Sequence, residues 1–169
     1  MNKDDMYYFH QTPNELAKEL INFVSLKEND LVLEPFKGEG AFYSNFPSYV
    51  SKHWCEITEG RDFKDYKGEI DWVISNPPFR LENEGKRENA FWKIIKHFMP
   101  LAKKGIAFLG NDYCLSTLTP KRLEEMAKNG FYITGIIVCS VKAWRGRYFF
   151  IIIEKGKEES FYKYLLKSY

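Results

Sequence analysis

The apolar run Ile70 to Ser75 (Ile-Asp-Trp-Val-Ile-Ser) stops on Asn76-Pro77-Pro78, and this junction constrains the fold of the 169-residue chain more than any other feature. Six residues, four of them apolar, have the length and pattern of a strand buried on both faces. Paired prolines offer no amide proton to a ladder, so the strand must end there. Leu31 to Pro35, Trp54 to Ile57 and Ile106 to Leu109 read as further short buried strands. Helical patterns lie around them. Over residues 12–24, Thr12 is a good N-cap, Pro13 suits the first helical position, and Glu15 closes a capping box. Leu16, Leu20, Phe23 and Val24 then share one face. Ala90 to Lys104 has helical spacing with Gly105 as its stop and Pro100 as a kink or break. A further helix opens at Thr119-Pro120 and closes at Gly130. Strands alternating with helices predict a doubly wound α/β domain with a mostly parallel sheet. Phe131 to Val141 and Tyr148 to Glu154 are too close for a crossover and should form an antiparallel edge. Residues 80–89 read as a polar loop and 158–169 as a short amphipathic tail. With no repeat and no low-complexity linker, residues 1–169 are expected to form one domain.

With 44% hydrophobic and 28% charged residues, the chain can bury a real core. Its longest apolar candidate, Tyr148 to Ile153, is strand-sized and far below the ~20 residues of a membrane helix. The N-terminal stretch MNKDDMYYFH lacks a charged-then-apolar leader pattern, which predicts a cytoplasmic protein. Cys55, Cys114 and Cys139 stand alone, and His10, His53 and His97 are scattered, so neither a disulfide scaffold nor a metal site is expected. The net charge of +2 hides a division. Residues 1–79 carry 8 basic against 14 acidic side chains, whereas residues 80–169 carry 17 against 9. A basic second half points to a polyanionic partner.

Doubly wound sheets bind ligands beyond the carboxyl ends of their strands, and there the informative residues cluster. Glu34-Pro35-Phe36-Lys37-Gly38-Glu39-Gly40 follows a strand, and its glycines let the backbone pass close to a ligand. The dinucleotide pattern GxGxxG is absent, because position 43 is Tyr43, which argues against a nicotinamide or flavin. Asn76-Pro77-Pro78-Phe79 is a rigid turn that aims the Asn76 carboxamide and the Pro77 carbonyl past the strand end, beside the Phe79 ring. Two acceptors and a flat ring suit a planar amino group. Glu56, ending the second strand, can chelate ribose hydroxyls, and is preferred over Glu59 for that reason. Asp62 can accept from an adenine amino group while Phe63 flanks the ring. In Lys142, Trp144, Arg145 and Arg147, basic residues flank an aromatic, a pattern that can contact phosphates and stack a base.

Taken together these spacings resemble the S-adenosylmethionine-dependent amino-methyltransferases, above all the N6-adenine methyltransferases of nucleic acids, over residues 9–79. The resemblance implies a Rossmann-like class I methyltransferase fold and S-adenosylmethionine as cofactor. His10, Gln11, Thr12 and Pro13 look like the N-terminal motif that meets the cofactor's methionine end. Glu34, Pro35, Phe36, Gly38 and Gly40 look like the cofactor loop, with Glu56, Asp62, Phe63 and Asn76 also facing the cofactor. Asn76, Pro77, Pro78 and Phe79 look like the catalytic tetrapeptide: Asn76 and Pro77 hold the amino group, and Phe79 stacks on the flipped base. The order, cofactor motif first, is γ-like. Only five residues separate Glu56 from Asp62, so the usual helix between strands two and three is deleted.

The function so implied is methyl transfer to the N6 of adenine in nucleic acid, DNA favoured over RNA, as a single strand or with the adenine flipped. Lys86 and Arg87, in the segment after the tetrapeptide, join the basic hairpin as substrate contacts. No separate target-recognition domain is expected in 1–169, which leaves room for a second subunit in that role. Two alternatives share the motifs: a protein glutamine N5-methyltransferase, and a catalytically idle cofactor-binding subunit.

Overall fold

The computed structural model describes residues 11–83, 86–142, 144, 146–157 and 161–168. Among these, seven strands form one sheet in the order β2-β1-β3-β6-β8-β7-β9. They are β1 Leu31–Glu34, β2 Ser51–Trp54, β3 Ile70–Ser75, β6 Ala102–Asn111, β7 Phe131–Ser140, β8 Tyr148–Lys155 and β9 Phe161–Ser168. The helices are α1 Asn14–Ile21, α2 Ala41–Asn45, α3 Ala90–Phe98, α4 Asp112–Ser116 and α5 Pro120–Lys128.

Successive residues of the central strands feed two separate cores, as a sheet covered on both faces requires. Val32, Trp72, Ile74, Ala107 and Leu109 pack under α1, whose Leu16, Ala17, Leu20 and Ile21 are buried. Leu33, Val73, Ile106 and Phe108 pack on the opposite face against Phe91, Ile94, Ile95 and Phe98 of α3. β1, β2, β3 and β6 run parallel. β8 is antiparallel to both β6 and β7, and β9 lies parallel to β7 on its outer side. The doubly wound, mostly parallel architecture is therefore present, with β8 flanked on both sides because β7 and β9 extend the sheet beyond it.

Several local expectations are corrected. α1 is capped at Pro13 with no side-chain capping bond, so the Thr12–Glu15 capping box does not form. The second strand is Ser51–Trp54 rather than Trp54 to Ile57; parallel pairing of Glu34 with Trp54 sets its end. α3 stops at Phe98, since Pro100 has no amide to donate, and Lys103 and Lys104 lie in β6 instead. Residues 80–83 and 86–89, read as part of a loop, are strands: β4 Arg80–Asn83 pairs antiparallel with β5 Lys86–Asn89. Backbone bonds hold that hairpin, so its polar sequence shows no apolar period. The tail, read as a short amphipathic segment of no assigned element, contributes β9. No helix among the described residues is long and apolar enough to cross a membrane.

Candidate active site

The sheet order reverses between β1 and β3, and the carboxyl ends of these strands open into a cleft of about 200 Å³. β1 delivers Glu34 to its floor. That side chain is 2% exposed and accepts a 2.7 Å hydrogen bond on Oε2 from the amide of Tyr43, in the first turn of α2. Burial drives its carboxyl pKa up to about 8, and the nearby Glu56 charge adds to the rise, while the Tyr43 amide and Lys37 oppose it. Pro35 and Phe36 continue along the wall. The chain then turns through Gly38 (φ 50°) and Gly40 (φ 82°), left-handed conformations that a side chain would strain. Gly38 lines the cleft; Gly40 lies behind it as the N-cap of α2.

Glu56 is two residues past the end of β2 yet faces the cleft at 6% exposure. Its Oε2 accepts from the Gly38 amide at 2.8 Å, and its Oε1 accepts from the amide and hydroxyl of Thr58 at 3.1 and 2.9 Å. Burial acts to raise this carboxyl, but those donors and the Lys37 charge outweigh it and hold it below the usual carboxylate range. Glu59 does not line the cleft; it pairs with Lys37 at 2.6 Å. Lys37 also sits 3.9 Å from the centroid of the Trp54 ring. Ile57 is 70% exposed at the cleft, and Phe63 packs against Phe36 with centroids 4.9 Å apart. Asp62 does not reach the cleft: its Oδ1 accepts from the Lys64 amide at 3.0 Å and caps the short 3-10 turn Phe63–Asp65. A carboxylate one residue before a 3-10 turn finds unsatisfied amides nearer than any ligand.

β3 brings the tetrapeptide. Ser75 Oγ donates to the Phe36 carbonyl at 3.4 Å, tying the strand end to the glycine loop. Asn76, Pro77, Pro78 and Phe79 all line the cleft, as do Gln11 and Thr12. Asn76 Nδ2 donates to Thr12 Oγ1 at 3.2 Å across 64 residues of sequence. Pro13 lies outside the lining, as the cap of α1. His10 is outside the described residues.

β6, β7 and β8 bring Lys142, Trp144 and Arg147, between β7 and β8, to the same end of the sheet, because Tyr148 pairs with Asn111 and Cys139. The buried Tyr148 ring stands 6.2 Å from Phe79 and 4.5 Å from Trp144 between centroids. Trp144 thus joins the tetrapeptide through Tyr148, which sequence reasoning had not singled out. Lys142 is exposed, and Arg147 Nε lies 3.2 Å from Asp112 Oδ1. Arg145 is outside the described residues. Lys86 and Arg87 are on β5, in the hairpin that follows Phe79, and the placement of their side chains is outside the description. Lys37, Ala41 and Ile57 were missed as cleft residues. Ile57 follows an acid after a strand, a signal that could have found it; nothing in the sequence directs Lys37 inward. No group of three metal-binding side chains comes together among the described residues.

No protein-family model matches the chain. It is 25% identical over 170 residues to the type II methyltransferase M.HincII of Haemophilus influenzae, an alignment covering 80% of this chain. The chain spans about a third of that relative's length, 34%. Among solved structures, a modification subunit of a putative type I restriction enzyme from Vibrio vulnificus superposes with a TM-score of 0.68 at 12% identity, over 91% of this chain and 46% of that one. A putative class I S-adenosylmethionine-dependent methyltransferase from Listeria monocytogenes superposes with a TM-score of 0.65 at 18% identity, over 91% and 64%. The chain has the Rossmann-like class I methyltransferase fold.

Proposed function

We propose that this chain is the catalytic part of an S-adenosylmethionine-dependent methyltransferase that modifies the N6 amino group of adenine in DNA. The observation that carries the reading is that Asn76-Pro77-Pro78-Phe79 and the Gly38–Glu56 loop wall the same cleft. The cleft chemistry fits the cofactor. Glu56, held ionised, is suited to a ribose diol; the glycine turn allows close backbone approach; Ile57 and Phe63 offer apolar flanks for a flat ring. Similarity to a type II methyltransferase and to a restriction-enzyme modification subunit supports DNA as the polymer.

The bound cofactor supplies a methyl group on a sulfonium, which is already electrophilic. The chain's task is then positioning. The lone pair of an exocyclic amine is delocalised into its ring, and acceptors at Asn76 and the Pro77 carbonyl favour the more tetrahedral nitrogen that attacks. Phe79 provides a wall on which the base stacks, offsetting part of the few kcal/mol needed to unstack it. No strong general base is required. A target-recognising partner subunit is part of this proposal.

Tritiated-methyl transfer to DNA, tRNA, rRNA and lysate protein, run side by side, tests it. Label recovered as N6-methyladenine from DNA supports the reading; label confined to protein replaces it with glutamine methylation.

A further inference from the structure

Between β2 and β3 the chain makes no α-helix, only two 3-10 turns, Ile57–Glu59 and Phe63–Asp65. No residue of the first turn is buried, so no core packing holds it, yet Glu56 and Ile57 both line the cleft. The backbone bonds inside this turn are local. The amides of Glu59 and Arg61 donate to the Glu56 carbonyl at 3.0 and 3.1 Å, and the Gly60 amide to that of Ile57 at 3.0 Å. They set the shape of the turn and leave its position against the sheet open.

That position comes from the loop after β1. The Gly38 amide meets the Glu56 carboxylate, and Lys37 supplies two further ties. Its amide donates to the Cys55 carbonyl at 3.0 Å. Its ammonium pairs with Glu59 Oε1 at 2.6 Å and lies 3.9 Å from the centroid of the Trp54 ring. The Arg61 guanidinium, just past the turn, stands 4.1 Å from the centroid of the same ring. An ion pair between two free surface chains holds little. The Lys37 side chain, however, is only 20% exposed, and its contact with an aromatic ring adds to the pair. A lysine is also unexpected in the wall of a cleft whose ligand carries a sulfonium, since like charges repel. Here the ammonium is turned to Glu59, which lies outside the lining.

We propose that Lys37 is a positioning residue for the cofactor: it braces the Glu56–Gly60 turn against the glycine loop and so holds Glu56 and Ile57 in the shape the cofactor binds. This rests on S-adenosylmethionine as the ligand of the cleft. The brace takes over the anchoring that a helix packed between strands two and three would give.

The test compares Lys37→Ala with Lys37→Arg, which can keep both the pair and the ring contact, and with Glu59→Gln. In the unliganded protein, hydrogen exchange over residues 56–62 should quicken several-fold in Lys37→Ala and Glu59→Gln and stay near wild type in Lys37→Arg. Calorimetry with S-adenosylhomocysteine, which lacks the sulfonium charge, should show Kd rising roughly 10-fold in Lys37→Ala, as when the turn holds the binding shape about a tenth of the time. Lys37→Arg should stay within about three-fold, and adding Glu59→Gln to Lys37→Ala should change little more, since both break one brace. S-adenosylmethionine should lose affinity in Lys37→Ala as well. If Lys37 were only a charge, removing it would tighten the binding of this cation and leave exchange unmoved. That pattern, unchanged exchange, or unchanged affinity for both compounds overturns the proposal. If the wild type binds neither compound, the cofactor assignment fails, and quicker exchange in Lys37→Ala still supports the brace.

Discussion

The amide of Gly38 donates to Oε2 of Glu56 at 2.8 Å, so the acid after β2 braces the glycine turn after β1. One carboxylate thus shapes the loop and lines the cleft. Gly38 sits at φ 50°, where a β-branched side chain is strained by more than 1 kcal/mol. Gly38→Val should therefore displace the amide from Glu56 and abolish S-adenosylmethionine binding while the chain stays folded. Calorimetry on the folded variant decides it: an unchanged affinity removes the cofactor from this loop.

Asn76→Ala should separate chemistry from binding. Losing one preorganised acceptor should cut turnover by roughly 10²-fold or more and leave cofactor affinity near wild type. Turnover within a few-fold of wild type would leave the tetrapeptide as a mere turn and favour an idle cofactor-binding subunit.

Glu34 should give stability a pH dependence of unusual sign for a carboxylate. Below about pH 4.5 it is protonated in folded and unfolded chains alike. From there to about 8 the unfolded chain ionises it while burial keeps it protonated in the fold, against the opposing Tyr43 amide and Lys37 and beside Glu56. The unfolded state gains, so stability falls as pH rises through this window and levels off above it, by at most a few kcal/mol. Urea midpoints at pH 5, 6.5 and 8.5 should decline in the wild type and stay flatter in Glu34→Gln.

Tyr148, 2% exposed, sets its ring against Phe79 and Trp144. Tyr148→Ala should cost about 3 kcal/mol by urea denaturation, and Tyr148→Phe under about 1.5. Equal losses in both would shift the role to the hydroxyl.

Nucleic-acid binding should be weak, salt-sensitive and better to single strands. Converting Lys86, Arg87, Arg145 and Arg147 to Glu should weaken it and flatten its salt slope without changing cofactor affinity. Arg147→Glu also sets a second acid beside Asp112, now 3.2 Å from the guanidinium. Fluorescence anisotropy at two salt concentrations measures both effects; no binding at low salt would count against a polymer substrate.

Strands β1, β3, β6, β7 and β8 were legible because each carries a local apolar run: Ile70–Ser75 ends where Asn76-Pro77-Pro78 says it must, whereas β2, Ser-Lys-His-Trp, has no such run and was placed too late. The candidate site was legible for a related reason, since ligands of such sheets meet the residues just past each strand. What the tertiary structure alone decided is which of those residues turn inward. Asp62 and Glu56 are both acids after the second strand, yet Asp62 is drawn to the Lys64 amide and Glu56 to that of Gly38. Thr12 has every local mark of an N-cap, but its hydroxyl meets Asn76, 64 residues away. The hairpin of β4 and β5 rests on backbone bonds between segments whose side chains carry no apolar period, and the pairing of β9 with β7 joins segments 26 residues apart in register, which no local pattern announces. Local pattern reports what a residue can bond to nearby; only the folded chain brings distant donors and acceptors into competition for it.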